Sequence, residues 1–109
     1  MMKMLEGKTV IVTGTSRGIG HKMVEVFAKN GANVFAHARI ETEEHKQFCE
    51  RLAEREDVQI IPLYFDLRDA DGMKEAVKII RETKLPIDGL VNNAGIIYNA
   101  LFQMTSMDE

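Results

Sequence analysis

Short apolar stretches alternate along the chain with longer segments in which apolar residues recur every three or four positions. The short stretches are rich in Val, Ile, Leu and Phe, a composition typical of buried strands. The longer segments have the spacing of helices with one buried face. This pattern predicts strands at residues 8–13, 33–38, 59–65 and 88–92, with a helix between each pair and the order β-α-β-α-β-α-β.

Each of the three predicted helices has an apolar face. The first, over residues 19–30, is predicted to bury Ile19, Met23, Val26 and Phe27. The second begins after Thr42 and is predicted to bury His45, Phe48, Cys49 and Leu52. The third is predicted to bury Met73, Ala76, Val77 and Ile80. Asp69 and Asp71 stand just before this third segment, where carboxylates cap helix N-termini.

Short strands that alternate with such helices require a parallel sheet covered on both faces and joined by right-handed crossovers. The sequence therefore predicts the α/β class, with a Rossmann-type doubly wound parallel sheet. In this architecture ligands bind outside the carboxyl ends of the strands. We therefore expect the ligand-binding residues in the connections that follow the strands.

Composition narrows the function classes. The chain has 109 residues, 45% of them hydrophobic, and a net charge of −3. It carries no basic cluster, so nucleic acid and anionic membranes are not expected as partners. One cysteine excludes an internal disulfide framework and a cysteine-rich metal site. No stretch approaches the roughly 18 apolar residues of a membrane span, and the N-terminus lacks a signal-peptide pattern, so we expect a cytoplasmic protein.

The loop after the first strand is rich in glycine. Residues 10–20 read VIVTGTSRGIG, with Gly14, Gly18 and Gly20 between a strand and a helix. The first backbone N–H groups of a helix lack partners inside it, and the helix dipole makes that end positive. A pyrophosphate would supply the missing acceptors. The alternative, that the glycines only allow a tight strand-to-helix turn, remains open from this stretch alone.

Three motifs, each at the end of a predicted strand, carry a family resemblance. Residues 13–20, TGTSRGIG, resemble the T-G-x-x-x-G-x-G of the short-chain dehydrogenase/reductase family and differ from G-x-G-x-x-G. Residues 92–95, NNAG, resemble its N-N-A-G, and Asp66-Leu67 resembles its adenine-contacting pair. The likeness is greatest to members of the 3-oxoacyl-carrier-protein reductase type. It implies hydride transfer between a nicotinamide cofactor and a carbonyl or alcohol substrate, including a 3-oxoacyl thioester.

The resemblance also implies a role for individual residues. The pyrophosphate is expected against Gly14, Ser16, Gly18, Ile19 and Gly20. Asp66 is expected to accept a hydrogen bond from the adenine amino group, with Leu67 beside it. The adenosine ribose is expected to pass Asn93, Ala94 and Gly95. Asn92 is expected to tie neighbouring strands together and to serve as scaffold.

The end of the second strand bears on the choice between NADP and NAD. A carboxylate there would bind the ribose 2′-hydroxyl of NAD, whereas an arginine accommodates the 2′-phosphate of NADP. Residues 37–39 read His-Ala-Arg, so the acid is absent and Arg39 stands in its place, with Arg17 as a second candidate. The sequence thus favours NADP over NAD. The alternative, an Arg39 in solvent neutralised by Glu41, remains open.

The catalytic residue pair that the family resemblance implies is missing from residues 1–109. Catalysis there needs Tyr-x-x-x-Lys, but Tyr64 is followed four positions later by Arg68 and Tyr98 by Phe102. The last residues, 106–109, read SMDE, a capping box that begins a helix. We therefore expect residues 1–109 to be the N-terminal nucleotide-binding part of one Rossmann-type domain, truncated before the catalytic region and holding no catalytic residue.

Two further expectations follow from that interpretation. The 109 residues alone should be inactive, and they should aggregate or pair through the open edge of the fourth strand, since apolar strand edges recruit other chains. The full-length protein is expected to be a homo-oligomer, as the family resemblance implies. The alternative is a non-catalytic nucleotide-sensing or interaction module that keeps the fold without the tyrosine and lysine.

Overall fold

Four strands alternate with three helices in the order that the sequence predicts. The structure, a computed structural model, describes residues 3–93. Its elements are β1 (Thr9–Val12), α1 (Gly18–Lys29), β2 (Asn33–Ala38), α2 (Glu43–Glu56), β3 (Ile60–Tyr64), α3 (Ala70–Thr83) and β4 (Gly89–Val91). Each strand lies within a residue or so of its predicted bounds. Expectations that fall on residues 94–109 lie outside the described residues.

The strands form one parallel sheet in the order β3-β2-β1-β4. Val10 lies opposite Val34 of β2 on one side and Gly89 of β4 on the other. The chain builds outward from β1 through β2 to β3 and then returns to place β4 on the opposite side of β1. This confirms the predicted Rossmann-type architecture and puts the reversal of strand order between β1 and β4, where ligands bind in such sheets.

The amino ends of β1 and β4 are joined by a reciprocal contact. The backbone N–H of Thr9 donates to the carboxylate of Asp88 at 2.9 Å, and the backbone N–H of Asp88 donates to the carbonyl of Thr9 at 2.8 Å. These bonds fix the register of two strands that lie 79 residues apart in sequence. They also leave the opposite, carboxyl ends of the two strands side by side.

Helices cover both faces of the sheet. On one face, α1 and α2 pack against β1 and β2 through residues that include Val12, Val24, Val34, Cys49 and Leu52. On the other face, α3 packs through residues that include Ile11, Phe35, Leu63, Val77 and Ile80. The predicted buried faces of α2 and α3 are confirmed, except that Phe48 is only half-buried.

The predicted buried face of α1 is wrong. Ile19 is 69% exposed and Val26 is 49% exposed, and the residues that α1 buries are Gly20, Val24 and Ala28. Met23 and Phe27 lie at the margin of the core and are partly buried. Small residues bring the helix close to the sheet, and a periodicity that counts large apolar side chains does not detect them.

The termini of α2 and α3 have well-defined caps. The hydroxyl of Thr42 accepts from the His45 N–H at 3.1 Å, and the carboxylate of Asp69 accepts from the Asp71 N–H at 3.1 Å, which confirms Asp69 as a cap. Both helices end in left-handed residues other than glycine, Asp57 at φ 55° and Lys84 at φ 59°. An L-residue in that conformation is strained by roughly 1–2 kcal/mol.

We predict that Lys84→Gly stabilises the protein by about 0.5–1 kcal/mol, because glycine adopts this conformation without the steric cost of a Cβ. The matched control is Glu82→Gly in the last turn of α3, which should destabilise by about 1 kcal/mol, since glycine is a poor helix former there. Urea denaturation of the two variants measures both effects. A loss of stability in Lys84→Gly would contradict the prediction.

Candidate functional site

The connection between β1 and α1 lies at the carboxyl edge of the sheet, beside the point where the strand order reverses. Gly14 has φ 66° and Gly18 has φ 65°, a region that L side chains rarely adopt. Ser16, Arg17, Gly18 and Ile19 are all exposed. This connection thus faces solvent at the edge where ligands bind in such folds, and two of its glycines have backbone angles that L side chains rarely adopt.

The N-terminus of α1 lacks the caps that the other helices have. The side chain of Arg17, its N-cap residue, makes no capping hydrogen bond, and the first turn contains no acidic residue. In contrast, α2 has Glu43 and Glu44 in its first turn and α3 has Asp71. The first N–H groups of α1 and its positive dipole end are therefore available to an anion.

Gly20 packs the first turn of α1 against this loop. A Cβ at Gly20 would overlap the carbonyl oxygen of Gly14 and approach the side-chain nitrogen of Asn93 to 2.8 Å. That nitrogen donates a hydrogen bond to the same carbonyl at 3.2 Å. Here Gly20 is a packing residue and Asn93 a tether between β4 and the loop, in addition to the cofactor contacts predicted for them.

Asn92 joins the carboxyl ends of β1 and β4. The hydroxyl of Thr13 donates to the Asn92 side-chain oxygen at 3.3 Å and lies 3.4 Å from the carbonyl of Val91. This hydrogen bond fits the scaffold role expected of Asn92. The other two predicted residues of this motif, Ala94 and Gly95, lie outside the described residues.

His37 fastens the glycine-rich loop to the end of β2. Its Nδ1 accepts from the backbone N–H of Gly14 at 3.1 Å, and its Nε2 lies 2.8 Å from the carbonyl of Phe65. A backbone N–H only donates and a carbonyl only accepts, so the ring is neutral with its proton on Nε2. Sequence reasoning missed this residue; the signal was a histidine within the otherwise apolar residues VFAHA of β2.

A second buried histidine continues the network. The Thr15 hydroxyl donates to the His37 carbonyl at 2.8 Å and therefore accepts from His45 Nε2, also at 2.8 Å. The Tyr64 hydroxyl then donates to His45 Nδ1 at 2.7 Å. The sequence placed His45 on a buried face, as the structure confirms, but gave no partner for it.

Burial lowers the pKa of both histidines. Desolvation is the main cause for His37, opposed by its hydrogen bond to the Phe65 carbonyl and by the charge of Asp66. Desolvation also dominates the lowered pKa of His45, with smaller contributions from His21 and His37. Both imidazoles are consequently neutral at pH 7, which agrees with the proton positions that their partners require.

Three arginines line a cavity of about 750 Å³ beside the N-terminus of α1. They come from three elements, with Arg17 before α1, Arg39 after β2 and Arg51 on α2, and Ser16 and Glu44 also line the cavity. None of the three arginines forms an ion pair with another residue in 3–93. The structure thus brings together three of the predicted cofactor residues, Ser16, Arg17 and Arg39.

Asp66 and Leu67 lie after β3, apart from the lining of that cavity. Arg68 donates to the Asp66 carboxylate from its guanidinium at 3.0 Å and from its backbone N–H at 2.9 Å. These bonds lower the pKa of Asp66 to about 2. Leu67 is half-buried and packs against the core beneath α3. Asp66 is an ionised acceptor at the carboxyl edge, and Leu67 serves partly as a core residue.

Residues 3–93 contain neither a candidate metal site nor a candidate membrane-spanning helix. No group of three His, Cys, Asp or Glu side chains there could hold a metal ion. None of the helices in this part of the chain has the length and hydropathy to cross a bilayer.

Comparison with known proteins gives consistent matches. A family model described as short chain dehydrogenase matches residues 8–109. The 3-oxoacyl-(acyl-carrier-protein) reductase FabG of Chlamydia trachomatis is 36% identical over 109 residues, which are 100% of this chain and 44% of that protein. A short chain dehydrogenase of Pseudocercospora fijiensis is 41% identical over 92 residues, which are 84% of this chain and 29% of that protein.

A solved structure matches the fold as well. L-sorbose reductase from Gluconobacter frateurii, in complex with NADPH and L-sorbose, superposes with a TM-score of 0.76 at 32% identity. The match covers 88% of this chain and 36% of that one. The chain therefore spans less than half the length of each of these relatives.

We predict that Gly20→Ala destabilises the protein by about 3 kcal/mol or more, because the new methyl group would overlap a backbone carbonyl that cannot move aside. Gly18→Ala is the matched control: a Cβ there meets no atom within 4 Å. It should cost only the roughly 1–2 kcal/mol of a left-handed L-residue. Urea denaturation compares the two, and equal losses would contradict the packing role of Gly20.

We also predict that Cys49 does not react with thiol reagents in the folded protein. It is buried, as the sequence indicates, and burial raises its pKa to about 12, so almost no thiolate exists at pH 8. Labelling with a chromogenic disulfide should proceed only as fast as the protein opens, and denaturant should release the full reactivity. Rapid labelling in buffer would contradict the prediction.

Proposed function

The chain belongs to the short-chain dehydrogenase family, and from this membership we propose that residues 1–109 bind the adenosine and phosphate portion of NADP(H). The observation that carries the proposal is the glycine-rich loop at the reversal of strand order. Its left-handed Gly14 and Gly18 keep side chains away from the backbone, and it leads into a helix N-terminus without its own cap. Those features fit a pyrophosphate held by backbone N–H groups of the loop and α1.

The arginine cavity supports NADP over NAD. Arg39 follows β2 directly, no carboxylate stands at residues 37–39, and Arg17 and Ser16 line the same cavity. The carboxylate of Glu41 is bonded to Lys46 at 3.1 Å, which argues against its neutralising Arg39. Two arginines without an ion-pair partner in the described part of the chain suit the dianionic 2′-phosphate, which a guanidinium binds with paired hydrogen bonds.

The adenine and ribose are proposed to lie across the ends of β3 and β4. Asp66 would accept from the adenine amino group with oxygen lone pairs that Arg68 does not use, and Leu67 would flank the ring. Asn93 would hold its part of the ribose pocket in place through its bond to Gly14. Ala94 and Gly95 are proposed to complete this pocket, on the motif that they share with the family.

We propose that the intact protein is an oxidoreductase acting on a carbonyl or alcohol substrate, including a 3-oxoacyl thioester. The bound nicotinamide would supply or accept the hydride. Relatives named as dehydrogenases and reductases support the enzyme over a non-catalytic nucleotide sensor. The proton-transferring tyrosine and lysine would come from outside residues 1–109, so this portion alone is proposed to be inactive.

We propose that the intact protein is a cytoplasmic homo-oligomer. A single buried cysteine and the absence of a cysteine framework support the reducing environment of the cytoplasm. Membership of the family supports a homo-oligomer.

The cofactor proposal is tested by calorimetric titration of the intact protein with NADP⁺ and NAD⁺. NADP⁺ should bind more tightly, and Arg39→Asp should reverse the order. Losing one charge-assisted contact costs roughly 1.5–3 kcal/mol, or about ten- to a hundredfold in NADP⁺ affinity. Arg55→Asp, on the same helix as Arg51 but not on the cavity wall, is the matched control and should keep the preference for NADP⁺. Equal wild-type affinities for the two nucleotides would overturn the proposal.

A further inference from the structure

His37 holds the start of the glycine-rich loop at three points. Its side chain accepts from the Gly14 N–H, and its carbonyl accepts from both the N–H and the hydroxyl of Thr15, each at 2.8 Å. These bonds cross from β2 to the loop and involve residues 22 and 23 positions apart. The position of the loop therefore depends on one residue that does not itself face the cavity.

The bond to Gly14 requires a lone pair on Nδ1. Because Nε2 already donates to the Phe65 carbonyl, a second proton on the ring can only bind at Nδ1. There the new N–H of His37 would face the backbone N–H of Gly14, and the two nitrogens, 3.1 Å apart, would both be donors. A backbone N–H cannot reverse its role, so protonation breaks this bond and pushes Gly14 away from β2.

The second histidine of the network tolerates protonation better. A proton on Nδ1 of His45 would face the Tyr64 hydroxyl, which can rotate and accept instead of donate. The Nε2–H bond to Thr15 would remain unchanged. Of the two buried histidines, His37 is therefore the one whose charge state is coupled to the loop.

Few charged groups surround His37. Asp66, after β3, is the carboxylate whose charge acts on its ring, and that carboxylate is bonded to Arg68. From α2 the titratable neighbour is His45, and beyond it His21 of α1 acts on His45. Residues 9–13 of β1 and 89–93 of β4 contain no titratable side chain, and α3 turns apolar residues to this face. Arg39, two residues after His37, also acts on Asp66 through its charge. With one carboxylate that is already bonded to Arg68 and a second cation nearby, the site offers little compensation for a charged imidazole.

We propose that His37 is a positioning residue for the nucleotide-binding loop, which it holds in its binding shape only while Nδ1 carries a lone pair. The inference rests on the proposed NADP(H) site, since it assigns that site a dependence on pH. Desolvation, which lowers the pKa of His37 below its ordinary value of 6.5, keeps the loop in place at neutral pH. As the pH falls through that lowered pKa, the imidazole gains its proton and Gly14 loses its bond to the His37 ring, while the two bonds from Thr15 to the His37 carbonyl remain.

The experiment measures NADP⁺ affinity of the intact protein from pH 8 down to the lowest pH at which circular dichroism still reports the native fold. His37→Asn places an amide oxygen near the position of Nδ1, so it can accept from Gly14 without titrating. His37→Leu removes the acceptor. His21→Asn removes a different histidine and leaves the network of His37 in place. The 2′-phosphate of the probe itself titrates near pH 6, so the comparison with His37→Asn isolates the contribution of His37.

We expect wild-type affinity to fall, as the pH passes below the lowered pKa of His37, by up to tenfold per pH unit more than that of His37→Asn, as one-proton linkage requires. His37→Leu should bind weakly at every pH, and His21→Asn should keep the wild-type midpoint. Identical pH profiles for the wild type and His37→Asn would overturn the inference.

A measurement without nucleotide separates this inference from the proposed function. NMR follows the protonation of His37 through the chemical shifts of its ring nitrogens. Over the same pH range, the Gly14 amide resonance should lose the chemical shift of a hydrogen-bonded N–H. An unchanged Gly14 resonance across that titration would overturn the inference. Absence of NADP⁺ binding at pH 8 would instead overturn the proposed function, and the Gly14 resonance would then decide the role of His37.

Discussion

The pairing of β1 with a parallel strand on each side is the constraint on which the rest of the structure depends. Because β2 and β4 both run parallel to β1, the carboxyl ends of all three strands meet at one edge of the sheet. That edge brings Gly14, Arg39 and Asn93 together from distant parts of the sequence. The hydrogen bonds from Asn93 to Gly14 and from Thr13 to Asn92 then join the connection after β1 to the end of β4.

Close packing of α1 adds a second constraint. Gly20, Val24 and Ala28 let the helix approach the sheet, and Gly20 lies directly against the Gly14 carbonyl. The direction of the helix axis, and with it the positive end of the helix dipole, is thereby fixed relative to the loop. A bulkier buried face would move the helix N-terminus away from the place where an anion would meet it.

The sequence predicted those features that depend on local patterns. Strands, helix order, the Asp69 cap and burial of Cys49 follow from short-range periodicity and composition, and the glycine-rich motif located the loop. The buried face of α1 was not predicted, because glycine and alanine carry little hydrophobic signal. The hydrogen-bond network of His37, Thr15, His45 and Tyr64 was also missed. Its partners lie 19 to 30 positions apart in sequence, and the directions of their side chains are set only when the sheet has formed.

The reciprocal bonds between Thr9 and Asp88 have a consequence for how the chain folds. β1 gains its second neighbour, β4, only from residues about 79 positions later in the chain. The pairing of β1 with β4 therefore has a high sequence separation. Contacts of this kind are slow to form, because a long loop must close before they contribute. At 5–20 residues per second, a ribosome needs roughly 4–16 s to synthesise that interval. During that time one edge of β1 has no partner strand, and chaperones have access to it before the sheet is complete.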